Sequence, residues 1–98
     1  MRSIYLVAYD VTDDKRRTKI HSKLKGYGEA VQYSIFRCAL TPSERLRLRS
    51  EMWDLINHMT DRVLLIDLGP EDGRGRDACE SWGMPLVDPA GHDGILVI

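Results

Sequence analysis

The run Ser3–Tyr9 (Ser-Ile-Tyr-Leu-Val-Ala-Tyr) is apolar on both of its alternating faces. Ile4, Leu6 and Ala8 share one face, and Tyr5, Val7 and Tyr9 share the other. A strand with this pattern has to be covered on both sides, because either face left in water forfeits its apolar burial. The run ends in a carboxylate, Asp10; Asp13 and Asp14 follow, and the chain then turns abruptly basic. The fold must therefore bury two faces of an early strand and leave a lone acid at its end beside a cationic segment.

The elements that follow narrow the choice. Thr12 offers an N-cap, with Asp13 and Asp14 in the first turn, where carboxylates suit the helix dipole. The spacing of Ile20, Leu24 and Tyr27 predicts a helix running to about Lys25, ended by Gly26 and Gly28. Residues 30–40 read as one long strand, or as two short strands joined by a tight turn near Tyr33-Ser34. Thr41, Pro42 and Glu44 form a capping box that opens a second helix. Leu48, Met52, Leu55, Ile56 and Met59 give its buried face, with Trp53 beside it, and residues 62–68 form the next strand.

From Gly69 to Gly94 the texture changes to Gly, Pro and Asp. Loops are expected there, with a helical turn around Asp77–Trp82, a short strand near Pro85–Val87 and a last strand at Ile95–Ile98. The stretch Asp72–Asp77 resembles a phosphate loop but lacks its lysine and strong following helix, so it reads as a turn. The order β-α-β-β-α-β plus a tail is the α+β, ferredoxin-like arrangement, with one domain over residues 1–98. Both helices then lie on one face of an antiparallel sheet. The second apolar face of the first strand calls for a cover, and a second copy in a two-fold homodimer supplies one.

Composition limits function only weakly. A chain of 98 residues suits one domain and leaves no room for two cores. Formal net charge is -1, so the average neither favours nor excludes a nucleic-acid partner. The distribution says more. Lys15, Arg16, Arg17, Lys19, Lys23 and Lys25 crowd the first helix, and Arg45, Arg47 and Arg49 sit on the second. That density exceeds what solubility requires and suits phosphate contact. Cys38 and Cys79 make neither a disulfide framework nor a metal-ligand spacing, and Cys38 reads as a small buried residue. With no signal-peptide pattern and no apolar run of membrane-spanning length, a cytoplasmic protein with no membrane partner is expected.

Several words recur in order across the first forty residues: the strand end Tyr9-Asp10, the Asp13-Asp14-Lys15-Arg16-Arg17 run, the helix end LKGYG, and QYSIF at Gln32–Phe36. Together they resemble the opening of the Cas-two family, the CRISPR-associated endonucleases of spacer acquisition; SWG and the terminal ILVI are weaker echoes. The resemblance implies a ferredoxin-like homodimer in which residues 69–98, a loop and a strand, dock on the partner subunit's sheet. It implies work with the CRISPR integrase (Cas-one) in capturing foreign DNA. It also implies either metal-dependent cleavage of RNA or double-stranded DNA, or a non-catalytic scaffold that binds DNA. From a different class, a ferredoxin-like regulatory module binding a small ligand stays open, since this fold hosts many functions.

The resemblance assigns Asp10 the catalytic and metal-binding role, with magnesium, or manganese in its place, held between two copies across a dimer axis. Its spacing alone favours a strand-end turn residue or a helix cap at one remove. Asp13 and Asp14 read as first-turn helix acids. Lys15, Arg16, Arg17 and Lys19 are the candidate nucleic-acid contacts, set against an ordinary solvated face. Ser34 is a candidate to position a water or phosphate, or else a turn hydroxyl. Phe36 is a supporting site residue or core. His21 stands on the basic helix, where it adds to phosphate contact; none of His21, His58 and His92 pairs with an acid at general-base spacing.

Overall fold

The computed structural model describes residues 1–83. The elements are β1 (Ser3–Asp10), α1 (Asp14–Lys25), β2 (Gly28–Gln32), β3 (Ile35–Leu40), α2 (Pro42–Leu55), β4 (Arg62–Pro70) and α3 (Arg74–Asp77). The expected strands at Pro85–Val87 and Ile95–Ile98 lie outside the described residues. The four strands form one sheet in the order β2-β3-β1-β4, all neighbours antiparallel. This is the ferredoxin-like arrangement, and residues 30–40 do divide at Tyr33-Ser34.

The core lies between the sheet and the two long helices. Tyr5, Val7 and Tyr9 of β1, with Val11, pack against Phe36, Cys38 and Leu40 of β3, Ile20 and Leu24 of α1, and Leu48 and Met52 of α2. Burial pushes the Cys38 thiol up to about 11, so it is an inert packing residue. At Gly28 a Cβ would lie 2.3 Å from the Arg37 carbonyl oxygen, so only glycine lets β2 meet β3 this closely.

Register fixes which side chains face away from the helices. Leu6 stands opposite Ile66 and Ala8 opposite Leu64, while Ala8 also pairs with Ile35. These residues form the second face of the sheet. Ile4 on that face is covered, because α3 folds over it closely enough that a Cβ on Gly75 would lie 2.9 Å from the Ile4 side chain. Leu64 and Ile66 stay 50% and 46% exposed, so the apolar pattern of β1 and β4 continues onto a surface that one chain leaves open.

Local signals resolve with three corrections. The capping box forms as expected: the Thr41 hydroxyl accepts from the Glu44 N–H at 3.2 Å, and the Glu44 carboxylate accepts from the Thr41 N–H at 2.9 Å. The cap of α1 is Asp13 and not Thr12, its carboxylate accepting from the Arg16 N–H at 2.9 Å. An Asp one residue later places its oxygen over the same open donors and carries charge favourable to the dipole. Met59 is exposed, because α2 stops at Leu55 and the chain turns before the helical stripe reaches it. The helical turn expected at Asp77–Trp82 lies earlier, at Arg74–Asp77, so part of Asp72–Asp77 is helical and not simply a turn.

Candidate nucleic-acid interface

Asp10 follows Tyr9, which points into the core, so alternation places its carboxylate on the open face with Leu6 and Ala8. It is exposed and stands opposite Arg62 in register. Among the described residues it has no hydrogen-bond or ion-pair partner. The neighbouring acids differ: Asp13 caps α1, and Asp14 pairs with Arg17. Of the three acids at the start of the basic run, only Asp10 has both oxygens uncommitted.

The cations sort in the same way. Arg16 makes a two-pronged pair with Asp61, Nε to Oδ2 at 2.8 Å and Nη2 to Oδ1 at 3.3 Å. The Asp61 side chain is fully covered. It also accepts from the Asn57 N–H at 2.8 Å and from the Thr60 hydroxyl at 3.1 Å. The Arg16 bond first, then the Asn57 N–H, hold its carboxyl down at about 2. Asp61 immediately precedes Arg62, the residue opposite Asp10. The pair therefore ties the first turn of α1 to the entry of β4 and fixes the ground around Asp10. Sequence reasoning placed Arg16 among the phosphate contacts, and the structure gives it this bracing contact.

Arg17 donates from Nη1 to the Val11 carbonyl oxygen at 3.2 Å, one residue past Asp10, and is about half-exposed. Lys15 and Lys19 are exposed, and neither has a partner among the described residues. These three present positive charge along α1 close to Asp10. Ser34 contributes through its backbone, its carbonyl oxygen accepting from the Tyr9 N–H at 3.0 Å. Phe36 is fully buried, with the Tyr9 ring at 6.5 Å and the His21 ring edge-on at 5.1 Å. It supports the site from beneath.

Sequence reasoning did not single out Tyr9, and gave His21 only a place on the basic helix. The Tyr9 hydroxyl lies 3.0 Å from His21 Nδ1 and donates to the Tyr33 carbonyl oxygen at 3.2 Å. Burial raises its pKa above the ordinary tyrosine value, against the opposing charge of Arg17. Tyr9 thus joins α1 and the β2–β3 turn to the strand that carries Asp10. No local signal marks this, since its partners lie 12 and 24 residues away.

Among the described residues no group of three or more His, Cys, Asp or Glu side chains forms a metal cage. Among the three acids at the start of the basic run, Asp10 alone offers a carboxylate without a partner among the described residues. A cage for a soft metal is not built here. Magnesium differs: it retains several waters and takes one or two carboxylates plus substrate phosphate, and an exposed, uncommitted Asp10 fits that demand. Among the described residues no helix is long and apolar enough to cross a membrane.

Residues 2–74 match the model of a protein family described as CRISPR associated protein Cas2. The chain belongs to the Cas2 family. It is 44% identical over 68 residues to a protein of Rhodospirillum rubrum named CRISPR-associated endoribonuclease Cas2 1, covering 69% of this chain and 67% of the relative. It is 38% identical over 96 residues to a Thermus thermophilus protein named CRISPR-associated endoribonuclease Cas2, covering 97% of this chain and 90% of the relative. Among solved structures, a hypothetical protein of Thermus thermophilus superposes with a TM-score of 0.67 at 34% identity, covering 71% of this chain and 96% of that one. A chain from a structure titled a partial Cas6-RT-Cas1–Cas2 complex superposes with a TM-score of 0.58 at 28% identity, covering 72% and 82%. Cas2 membership answers the ligand-module alternative, and the superpositions agree with the observed fold.

Proposed function

We propose that this Cas2 protein serves CRISPR adaptation and hydrolyses phosphodiester bonds, with RNA as the substrate class, through Asp10 of two copies paired across a two-fold axis. Relatives carrying the name endoribonuclease support the reaction class. The single observation that carries the reading is the position of Asp10: an uncommitted carboxylate on the same open apolar face as Leu64 and Ile66. Covering that face with a second copy removes about half-exposed leucine and isoleucine from water. The same pairing sets two carboxylates beside one phosphate, flanked by Arg17, Lys15 and Lys19.

Asp10 of each copy would hold magnesium, or manganese in its place. Bound there, the ion supplies charge neutralisation at the phosphoryl oxygens and a more acidic attacking water. The chain's own residues do the rest. Lys15, Lys19 and Arg17 attract and align the phosphate backbone. The Arg16–Asp61 pair keeps the first turn of α1 in place, and Tyr9 holds the strand end against the β2–β3 turn. The C-terminal segment that follows α3 docks on the partner subunit, and the integrase joins this dimer.

The test is a nuclease assay with and without magnesium on the wild type and Asp10→Asn, alongside co-purification with the integrase. Asp10→Asn is expected to lose magnesium-dependent cleavage and keep both nucleic-acid binding and integrase association. Undiminished cleavage by the variant in separate clean preparations refutes the catalytic assignment. Ile66→Asp tests the pairing: light scattering is expected to show half the wild-type mass, and an unchanged mass refutes use of that face. A second reading, a non-catalytic DNA-binding scaffold of the integrase complex, draws support from the likeness to a chain solved with Cas1. Wild type that associates with the integrase and never cleaves favours it.

A further inference from the structure

Phe36, which sequence reasoning weighed as a supporting site residue or core, is buried. The exposed aromatic beside the site is Tyr33, at 96% exposure, on the turn between β2 and β3. A ring so placed gains nothing from the core. Its backbone is nonetheless held firmly. The Tyr33 carbonyl oxygen accepts from the Tyr9 hydroxyl at 3.2 Å, and the next carbonyl, of Ser34, accepts from the Tyr9 N–H at 3.0 Å. Both bonds come from the residue that precedes Asp10. The turn therefore presents Tyr33 from a rigid mount on the strand that carries the carboxylate.

The ring borders a hollow of about 300 Å³ lined by His21, Ala30, Gln32 and Tyr33. The hydrogen-bond network assigns the polar groups in it. The Tyr9 proton goes to a carbonyl oxygen, which can only accept. With that proton so placed, the phenol oxygen accepts from His21 Nδ1–H, and Nε2 is the ring nitrogen left for another partner. Nε2 has no partner among the described residues. Gln32 brings an amide, a donor and an acceptor together, and Ala30 brings a small apolar surface. Among the described residues no carboxylate lines the hollow to repel a polyanion. On the helix that supplies His21, Lys15 and Lys19 are exposed and uncommitted.

We infer that this hollow is a subsite for one unpaired nucleobase of a single-stranded substrate, stacked on Tyr33, with its edge read by His21 Nε2 and Gln32. The inference rests on the nucleic-acid reading above and extends it. An aromatic face accepts any base by stacking, while the cations of α1 hold the backbone on either side. A duplex keeps its bases stacked on each other and gains nothing from Tyr33. The subsite therefore makes the chain favour single strands over duplexes of the same sequence.

The experiment uses the full chain, with magnesium withheld so that nothing is cut. The probe is a single-stranded oligonucleotide bearing 2-aminopurine, whose fluorescence is quenched by stacking, and the control is the matching duplex. Tyr33→Ala is expected to abolish the quenching and weaken single-strand binding roughly five- to a hundred-fold, the loss of one base–aromatic stack. Tyr33→Phe keeps the ring and is expected to behave as wild type. Duplex affinity and the melting temperature are expected to stay put, since Tyr33 is almost wholly exposed. Wild-type quenching by Tyr33→Ala overturns the subsite, as does an equal loss on single strand and duplex. A change in oligomeric mass with unchanged single-strand affinity overturns it too, in favour of a contact between copies. A wild type that binds neither probe refutes nucleic-acid binding itself; a wild type that binds single strands as tightly as Tyr33→Ala does refutes the subsite alone.

Discussion

Replacing Phe36 with alanine separates a core role from a substrate role. The side chain is fully buried, between the Tyr9 ring at 6.5 Å and the His21 ring at 5.1 Å. An aromatic side chain buries about 150–250 Å². At about 25 cal/mol per Å² this is worth about 4–6 kcal/mol as an upper bound. Measured truncations of buried phenylalanine cost about 3–5 kcal/mol, cavity included. Domains of this size have about 5–15 kcal/mol in total, so Phe36→Ala removes a large share. With each kcal/mol moving the melting temperature by about 4–8 °C, a fall of at least about 12 °C is expected. The assay is a thermal melt by circular dichroism at fixed protomer concentration, since dimer formation makes the midpoint concentration-dependent. Phe36→Leu refills much of the space and is expected to recover most of the loss. Below its own midpoint the alanine variant should still bind nucleic acid. A variant that melts within a degree or two of wild type yet loses binding would refute the packing role and make Phe36 a contact residue.

The Asp61 carboxyl is held at about 2, below its ordinary 3.8, by the Arg16 bond first and the Asn57 N–H second. A depressed folded-state value gives stability that is full above pH 3.8 and lost as pH falls through about 2. Melting temperature should therefore drop across that window in wild type and change less in Asp61→Asn; parallel curves would refute the pair's contribution. Lys15→Ala with Lys19→Ala is expected to weaken nucleic-acid binding across sequences and reduce the slope of log affinity against log salt by about 2, one per lost phosphate contact. Arg16→Ala should lower the melting temperature first, and a variant with wild-type stability and a flattened salt slope would return Arg16 to the phosphate contacts.

The divide between what was legible in the chain and what was not follows distance along it. Capping at Thr41–Glu44, the helical stripes as far as Leu55 and the doubly apolar β1 are set by neighbours within a few residues, so periodicity and capping chemistry reveal them, while the strand division at Tyr33-Ser34 stayed one of two readings. Asp10 is legible as a strand-end acid for the same reason. The uses of Arg16, Tyr9 and Tyr33 are not. Arg16 meets Asp61 from 45 positions away, and Tyr9 meets the Tyr33 carbonyl from 24. Arg16 thus became a brace while Lys15 and Lys19 in the same run stayed without partners among the described residues, and the exposed aromatic beside Asp10 turned out to be Tyr33, with Phe36 in the core. Pairing of this kind depends on which strand ends the sheet brings side by side. A linear pattern of residue types carries the cost of burying or exposing each group, but only the folded chain decides which partner answers it.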